Sequence, residues 1–399
     1  MKVLMFSELF YPNGGGAELA TWLYAKLLVQ NGFEVTVITR QFPNELYSEF
    51  LYEKVKVYRY PFRVIDKGRY ITLVNANIVA SRFVNKIIAE SDLIYIPGCW
   101  YTAVPIAKAH KKAVVVHMHN NFLACPTSLM YNFDKRRIGS STGRSFMLHE
   151  MIQKGSRGAS LFASCFVNEV FGQHLGRLPV SADALVFVSK AQMEMALTHY
   201  PWIKGKSHMV YNPIPNCPLI ESESIGIGYF GGKNYVKGYS SLVEAVIKLH
   251  PKSNTQLHMA MTSPLIRKRV LENGVEIIFY PKLTREEILK LMRNLSVVVV
   301  PSLSPEPFPY ALIEAMLYGK VVVASNIGGI PEIVDGAGAG AKLVKPEATD
   351  EFAEALSFTL ELDSEDAHRL GNKNRELVLH KFTNKTAVKS LIKVLDSVD

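Results

Sequence analysis

Cysteine is scarce in this chain: Cys99, Cys125, Cys165 and Cys217 are widely spaced, and no CxxC pair occurs. That excludes a disulfide-built secreted scaffold and a structural zinc site, and makes a reduced, cytosolic protein the simplest expectation. No apolar run approaches the ~20 residues of a membrane-spanning helix. Residues 1–7 enter a strand at once, without the layout of a signal peptide. No Asp-x-Asp occurs, so nothing in the sequence implies a catalytic metal. A GxGxxG fingerprint counted from Gly14 needs glycine where Leu19 stands, which weakens a Rossmann oxidoreductase reading.

What is present is a globular composition, 48% hydrophobic and 20% charged, in 399 residues, which suffices for two domains. The net charge of +9 is uneven: residues 1–220 carry 24 Lys and Arg against 14 Asp and Glu, and residues 221–399 carry 21 against 22. A basic half suits an anionic partner such as a phospholipid surface or a lipid-phosphate acceptor, although the same charge also serves solubility. Nucleic acid fits poorly, because no exposed aromatics interleave with the charge. One basic zone has Lys67, Arg69, Arg82 and Lys86 beside a helix with Ile71, Val74, Ile78, Phe83 and Ile87 near one face. The other has Lys135, Arg136, Arg137, Arg144, Lys154 and Arg157 around a run, Gly139 to Gly143, that reads as a mobile loop over an acceptor.

Strand-like runs recur at residues 2–7, 34–40, 55–60, 93–98, 113–119 and 184–190, mostly with helical stretches between them; a helix is expected over 17–30. A second alternating series follows at 225–230, 256–261, 275–282, 297–301 and 321–325. Alternation of this kind predicts α/β architecture with parallel sheets covered on both faces, and ligands at the carboxyl ends of the strands. Pro213, Pro215, Pro218 and the polar residues 221–224 mark a linker, which divides the chain into domains 1–220 and 221–383. A last helix over 384–399 carries Val388, Leu391, Ile392 and Leu395 on one face. His117 and His119 point the same way along their strand, and His119 is nearer its carboxyl end.

The richest stretch is PSLSPEPFPYALIEAMLYGKVVVASNIGGIPEIV, residues 301–334. Glu306 lies between Pro305 and Pro307, and Phe308 between Pro307 and Pro309, so both are driven into extended backbone. Pro309 suits the first helical position of a helix over 310–317 that stops at Gly319. The unpaired amides of Tyr310, Ala311 and Leu312 then form a positive helix end suited to a diphosphate. Glu314 falls about 7.5 Å further along the axis, roughly the step from a phosphate to a ribose.

The spacing Glu306, seven residues, Glu314, followed by Gly328 to Val334, resembles the signature of the retaining, metal-independent glycosyltransferases of family 4. The resemblance implies the GT-B fold, two Rossmann-like β/α/β domains facing a central cleft, and a nucleotide-sugar donor bound without a cofactor. It implies that Gly15 and Gly16 face the donor, that His119 contacts the donor sugar, and that Glu306 and Lys237 belong to the catalytic group. Phe308, Pro309, Tyr310, Ala311 and Glu314 join the donor side. Ser189-Lys190 and Asn212 to Pro215 resemble family segments at the interdomain hinge, and the last helix returns to the first domain. The family usually has Gly-Arg ahead of the Lys-Gly pair; here Gly232 stands in the arginine's place, so either Lys233 substitutes or Lys237 acts alone. A nucleotide-sugar epimerase and a non-catalytic basic membrane or scaffold protein remain as alternatives to transfer onto a glycan or lipid-linked acceptor.

Overall fold

Residues 3–6 and 297–300 are buried along their whole length, as strands covered on both faces require. They lie inside two sheets in a computed structural model of the chain. It describes all residues but 12–13, 42–48, 62–74, 76–77, 126–127, 129, 134, 136, 140–144, 146, 149–150, 152–175, 220–225, 251–254 and 399. Lys67, Arg69, Ile71, Val74, Arg136, Arg144, Lys154, Arg157, most of the glycine-serine run and the polar linker therefore fall outside the described residues.

The first lobe runs β1 (Lys2–Phe6), α1 (Gly16–Gln30), β2 (Glu34–Gln41), β3 (Glu49–Tyr52), β4 (Val55–Pro61), α2 (Arg82–Glu90), β5 (Leu93–Ile96), α3 (Ala103–Ala109) and β6 (Ala113–Met118). A small hairpin, β7 (Tyr131–Asn132) and β8 (Arg137–Ile138), precedes β9 (Ala184–Phe187), α4 (Lys190–His199) and β10 (Ser207–Met209). Its sheet has the order β10-β9-β6-β5-β1-β2-β4-β3, parallel except for β3 at one edge.

The second lobe comprises β11 (Ile227–Tyr229), α5 (Tyr239–Ile247), β12 (Gln256–Met259), β13 (Arg267–Val270), β14 (Glu276–Phe279), α6 (Arg285–Arg293) and β15 (Val297–Val300). It continues with α7 (Tyr310–Leu317), β16 (Val321–Ser325), α8 (Ile330–Val334), β17 (Ala341–Val344), α9 (Thr349–Glu361), α10 (Ser364–Lys381) and α11 (Asn384–Asp396). Its sheet has the order β13-β14-β12-β11-β15-β16-β17, parallel except for β13. α11 leaves this lobe, and Val388, Leu391 and Leu395 pack with Val3, Met5 and Tyr24 of the first.

The two halves form the GT-B fold, with every strand expected from the sequence present and most of them shorter than expected. In α2 the buried positions are Val84 and Ile88, while Phe83, expected on the apolar face, is exposed. Glu306 lies in no helix or strand, in keeping with its flanking prolines. Pro309 differs from expectation: it caps α7 with extended backbone, and the helix begins at Tyr310. Its carbonyl accepts the Leu312 amide at 3.1 Å, so Leu312 is not an unpaired donor; the amides of Tyr310 and Ala311, the first two helical residues, have no acceptor within the helix.

Candidate active site

The carboxyl ends of β1, β6, β11 and β15 open on a cleft of about 580 Å³ between the lobes. The first lobe lines it with Gly15, Gly16, His119, Asn120, Asn121 and Asn212. The second contributes Lys237, Ser302, Glu306, Phe308, Tyr310 and Ala311, with Pro309 among them.

Glu306 is largely buried, and both of its carboxylate oxygens are occupied. Lys237 Nζ donates to Oε2 at 2.6 Å, and the Ser302 hydroxyl donates to Oε1. Lys237 ends a short turn, Tyr235–Lys237, stopped by Gly238 at φ +79°. A Cβ on Gly238 would lie 1.8 Å from the Pro301 carbonyl oxygen, so only glycine lets this turn press onto the end of β15. The segment after β16 supports Glu306 from behind: the Gly329 amide donates to the Glu306 carbonyl at 2.8 Å. A Cβ on Gly329 would meet the Pro307 oxygen at 2.0 Å, and one on Gly328 would meet Glu306 backbone at 2.6 Å. The glycines of GGIPE thus let two loops touch main chain to main chain.

His119, at the end of β6, donates from Nδ1 to the Pro97 carbonyl at 2.8 Å, and its Nε2 lies 3.1 Å from the Asn212 amide. Burial lowers its pKa, against the opposing pull of those two bonds, which keeps the ring neutral at physiological pH. Its ring stacks on His117 at 4.5 Å, and His117 Nδ1 meets the Tyr95 hydroxyl at 2.5 Å. A Cβ on Gly16 would lie 3.1 Å from the Tyr310 ring, while the Glu18 carboxylate caps α1 by accepting from the Gly15 amide at 2.7 Å.

Three sequence-predicted residues lie elsewhere. Glu314 is buried on α7 and paired with Arg285 of α6, outside the cleft lining. Burial raises its pKa, and Arg285 opposes that. Gly232 and Lys233 are also outside the lining, where Gly231 appears in their stead. Of the two lysines weighed for the phosphate, Lys237 is the one in the cleft.

Residues 14–216 match the family model Glycosyltransferase Family 4, and residues 218–377 match Glycosyl transferases group 1. The chain belongs to glycosyltransferase family 4. Its relatives include a phosphatidylinositol N-acetylglucosaminyltransferase component from Arabidopsis thaliana, 23% identical over 84% of this chain and 69% of that one. A protein in the cps region of Klebsiella pneumoniae is 21% identical over 84% of this chain and 87% of that one. Among solved structures, sucrose-phosphate synthase from Thermosynechococcus elongatus superposes with a TM-score of 0.71 at 17% identity, covering 99% and 98% of the two chains. Anabaena Alr3699/HepE, in complex with UDP-glucose, gives 0.68 at 17% identity over 100% of both.

Several residues of this glycosyltransferase's site carry no signal in the sequence. Ser302 and Arg285 hold the two motif carboxylates, yet only folding brings Arg285 to Glu314. Asn121 donates to the Pro305 carbonyl at 2.7 Å across the cleft. Glu332 crosses as well: its carboxylate accepts the amides of Lys190 at 2.9 Å and Ala191 at 2.7 Å, the start of α4, and the Tyr211 hydroxyl at 3.1 Å. Glu8, just past β1, has its pKa raised to about 7, by burial first and the Glu18 charge second. Among the described residues no group of three His, Cys, Asp or Glu is placed to hold a metal ion.

Proposed function

We propose that this chain is a retaining hexosyltransferase that moves a sugar from a nucleoside-diphosphate donor to a glycan or lipid-linked acceptor at the cytoplasmic face of a membrane. The observation that carries this reading is the convergence of Lys237, Glu306 and the N-terminus of α7 on one cleft faced by His119 and the Gly15–Gly16 loop. The names of relatives that transfer N-acetylglucosamine to phosphatidylinositol or that hold UDP-glucose support the donor class and a lipid-linked acceptor.

The donor diphosphate lies against the amides of Tyr310 and Ala311, where the helix end favours negative charge. Lys237, paired with Glu306, turns part of its charge toward the phosphate as the bond between sugar C1 and phosphate oxygen breaks. The acceptor oxygen forms its bond to C1 on the same face, and its proton passes to the departing phosphate oxygen. Glu306 holds the sugar and Lys237 in register, and neutral His119 offers hydrogen bonds without a competing charge. Glu314, buried and paired with Arg285, steadies α7 from behind the cleft lining. The reaction runs without a metal ion and is insensitive to EDTA.

NMR of the product against the donor's anomeric configuration tests this, after thermal-shift screening with UDP-, GDP- and ADP-sugars; an inverted product overturns it. A glycosyl adduct on Glu306 would replace front-side attack by a covalent route. Turnover of donor without acceptor would instead indicate an epimerase.

A further inference from the structure

The parallel strands β12 and β14 are joined by β13 rather than by a helix. The chain passes from Met261, which lines the cleft, through residues 264–270, PLIRKRV, every one of which is exposed. Leu265, Ile266 and Val270 have relative exposures of 66%, 63% and 67%. Three large apolar side chains this exposed within seven residues are not explained by the donor lobe's core. The segment is also firmly held: the amides of Thr262 and Ser263 donate to the Tyr280 carbonyl at 3.0 and 3.2 Å, and β13 is laddered to β14 over four residues. Because β13 is antiparallel and Arg267 pairs with Phe279, Leu265 and Ile266 sit at the cleft end of this edge.

We infer that residues 264–270 are a docking edge for an anionic lipid bilayer. The charge decides between occupants. Arg267, Lys268 and Arg269 are consecutive, and only Lys268 is in a salt bridge among the described residues, with Glu276. A second copy pairing along the free edge of β13 would set like charges against each other, whereas an anionic headgroup layer complements them and the Leu265–Ile266 pair enters its apolar boundary. The edge then places the mouth of the cleft at the membrane surface. This rests on the lipid-linked acceptor proposed above.

The test is sedimentation of the full chain with phosphatidylcholine vesicles, with and without phosphatidylglycerol, and with no sugar donor present. Binding is expected only to the anionic vesicles, weakening with salt. It falls at least about tenfold in Arg267→Glu/Arg269→Glu and also in Leu265→Ser/Ile266→Ser, with melting curves like the parent's. Equal binding to both vesicle types, or variants that sediment like the parent, overturns the inference. So does light scattering that shows a dimer which these variants split. A parent protein that fails to sediment while its transfer is intact would sink the docking edge alone, and a parent that sediments without transfer would sink only the proposed reaction.

Discussion

On the second lobe's side the cleft holds a pair of formal charges, Lys237 with Glu306, and a second pair, Arg285 with Glu314, lies behind the lining. The first lobe faces them with a glycine loop, a neutral histidine and the side-chain amides of Asn120, Asn121 and Asn212. A wall of paired charges suits a diphosphate, whose charge changes during reaction and must be met by groups already in place. A wall without formal charge orients hydroxyls and accommodates different acceptors.

The sharpest way to break this contrast is Glu306→Gln, which removes one charge and keeps the shape. We expect kcat/KM to fall about a thousandfold, about 4 kcal/mol of transition-state stabilisation, with little change in melting temperature. Activity within tenfold of the parent would mean that the charged wall is not the reacting one. Next comes Gly329→Ala, whose methyl group would meet the Pro307 carbonyl. A loss of about 3 kcal/mol in urea unfolding is expected, and an unchanged midpoint would show that the backbone contact behind Glu306 is not needed.

The remaining two sharpen the first lobe's neutrality. With its pKa raised to about 7 in the fold from 4.5, Glu8 is protonated in both states below 4.5. Between 4.5 and 7 the unfolded chain gives up the proton first, so the fold loses stability as pH rises through that window. Glu8→Gln should therefore gain about 3 kcal/mol on the parent between pH 4 and pH 8; a pH-independent difference counts against a buried acid there. For His119 the sign is reversed: its pKa in the fold lies below 6.5, so its contribution is complete above 6.5 and is lost as pH falls through the lowered value. His119→Gln should cost about ten- to hundredfold in kcat and abolish the acid limb of the pH–rate profile. A limb that persists in the variant belongs to another group.

The charged wall was largely legible because residues 301–334 carry it in one continuous stretch, where Pro305 and Pro307 leave Glu306 little conformational choice. Its partners were not, since Arg285 lies 29 residues from Glu314 and nothing in a local pattern announces the pairing. The first lobe's wall is assembled from strand ends far apart in sequence, so His119 was found by its place on a strand, Asn212 stood out only as part of a hinge segment, and Asn121 had no signal at all. β13 was missed for a physical reason: with both faces exposed it has no alternation of apolar and polar residues for periodicity to detect. The displacement of Gly232 and Lys233 from the cleft lining, with Gly231 inside it, depends on the exact course of a tight turn.

The bond from Glu332 to the start of α4 has a mechanical meaning. Three residues before Glu332, the Gly329 amide grips the carbonyl of Glu306, so the acid's main chain and the fastening between the lobes share one short lever. Any parting of the lobes would strain that lever and carry the acid's main chain with it. The acid proposed to face the donor would then keep its place only while the lobes stay fastened together.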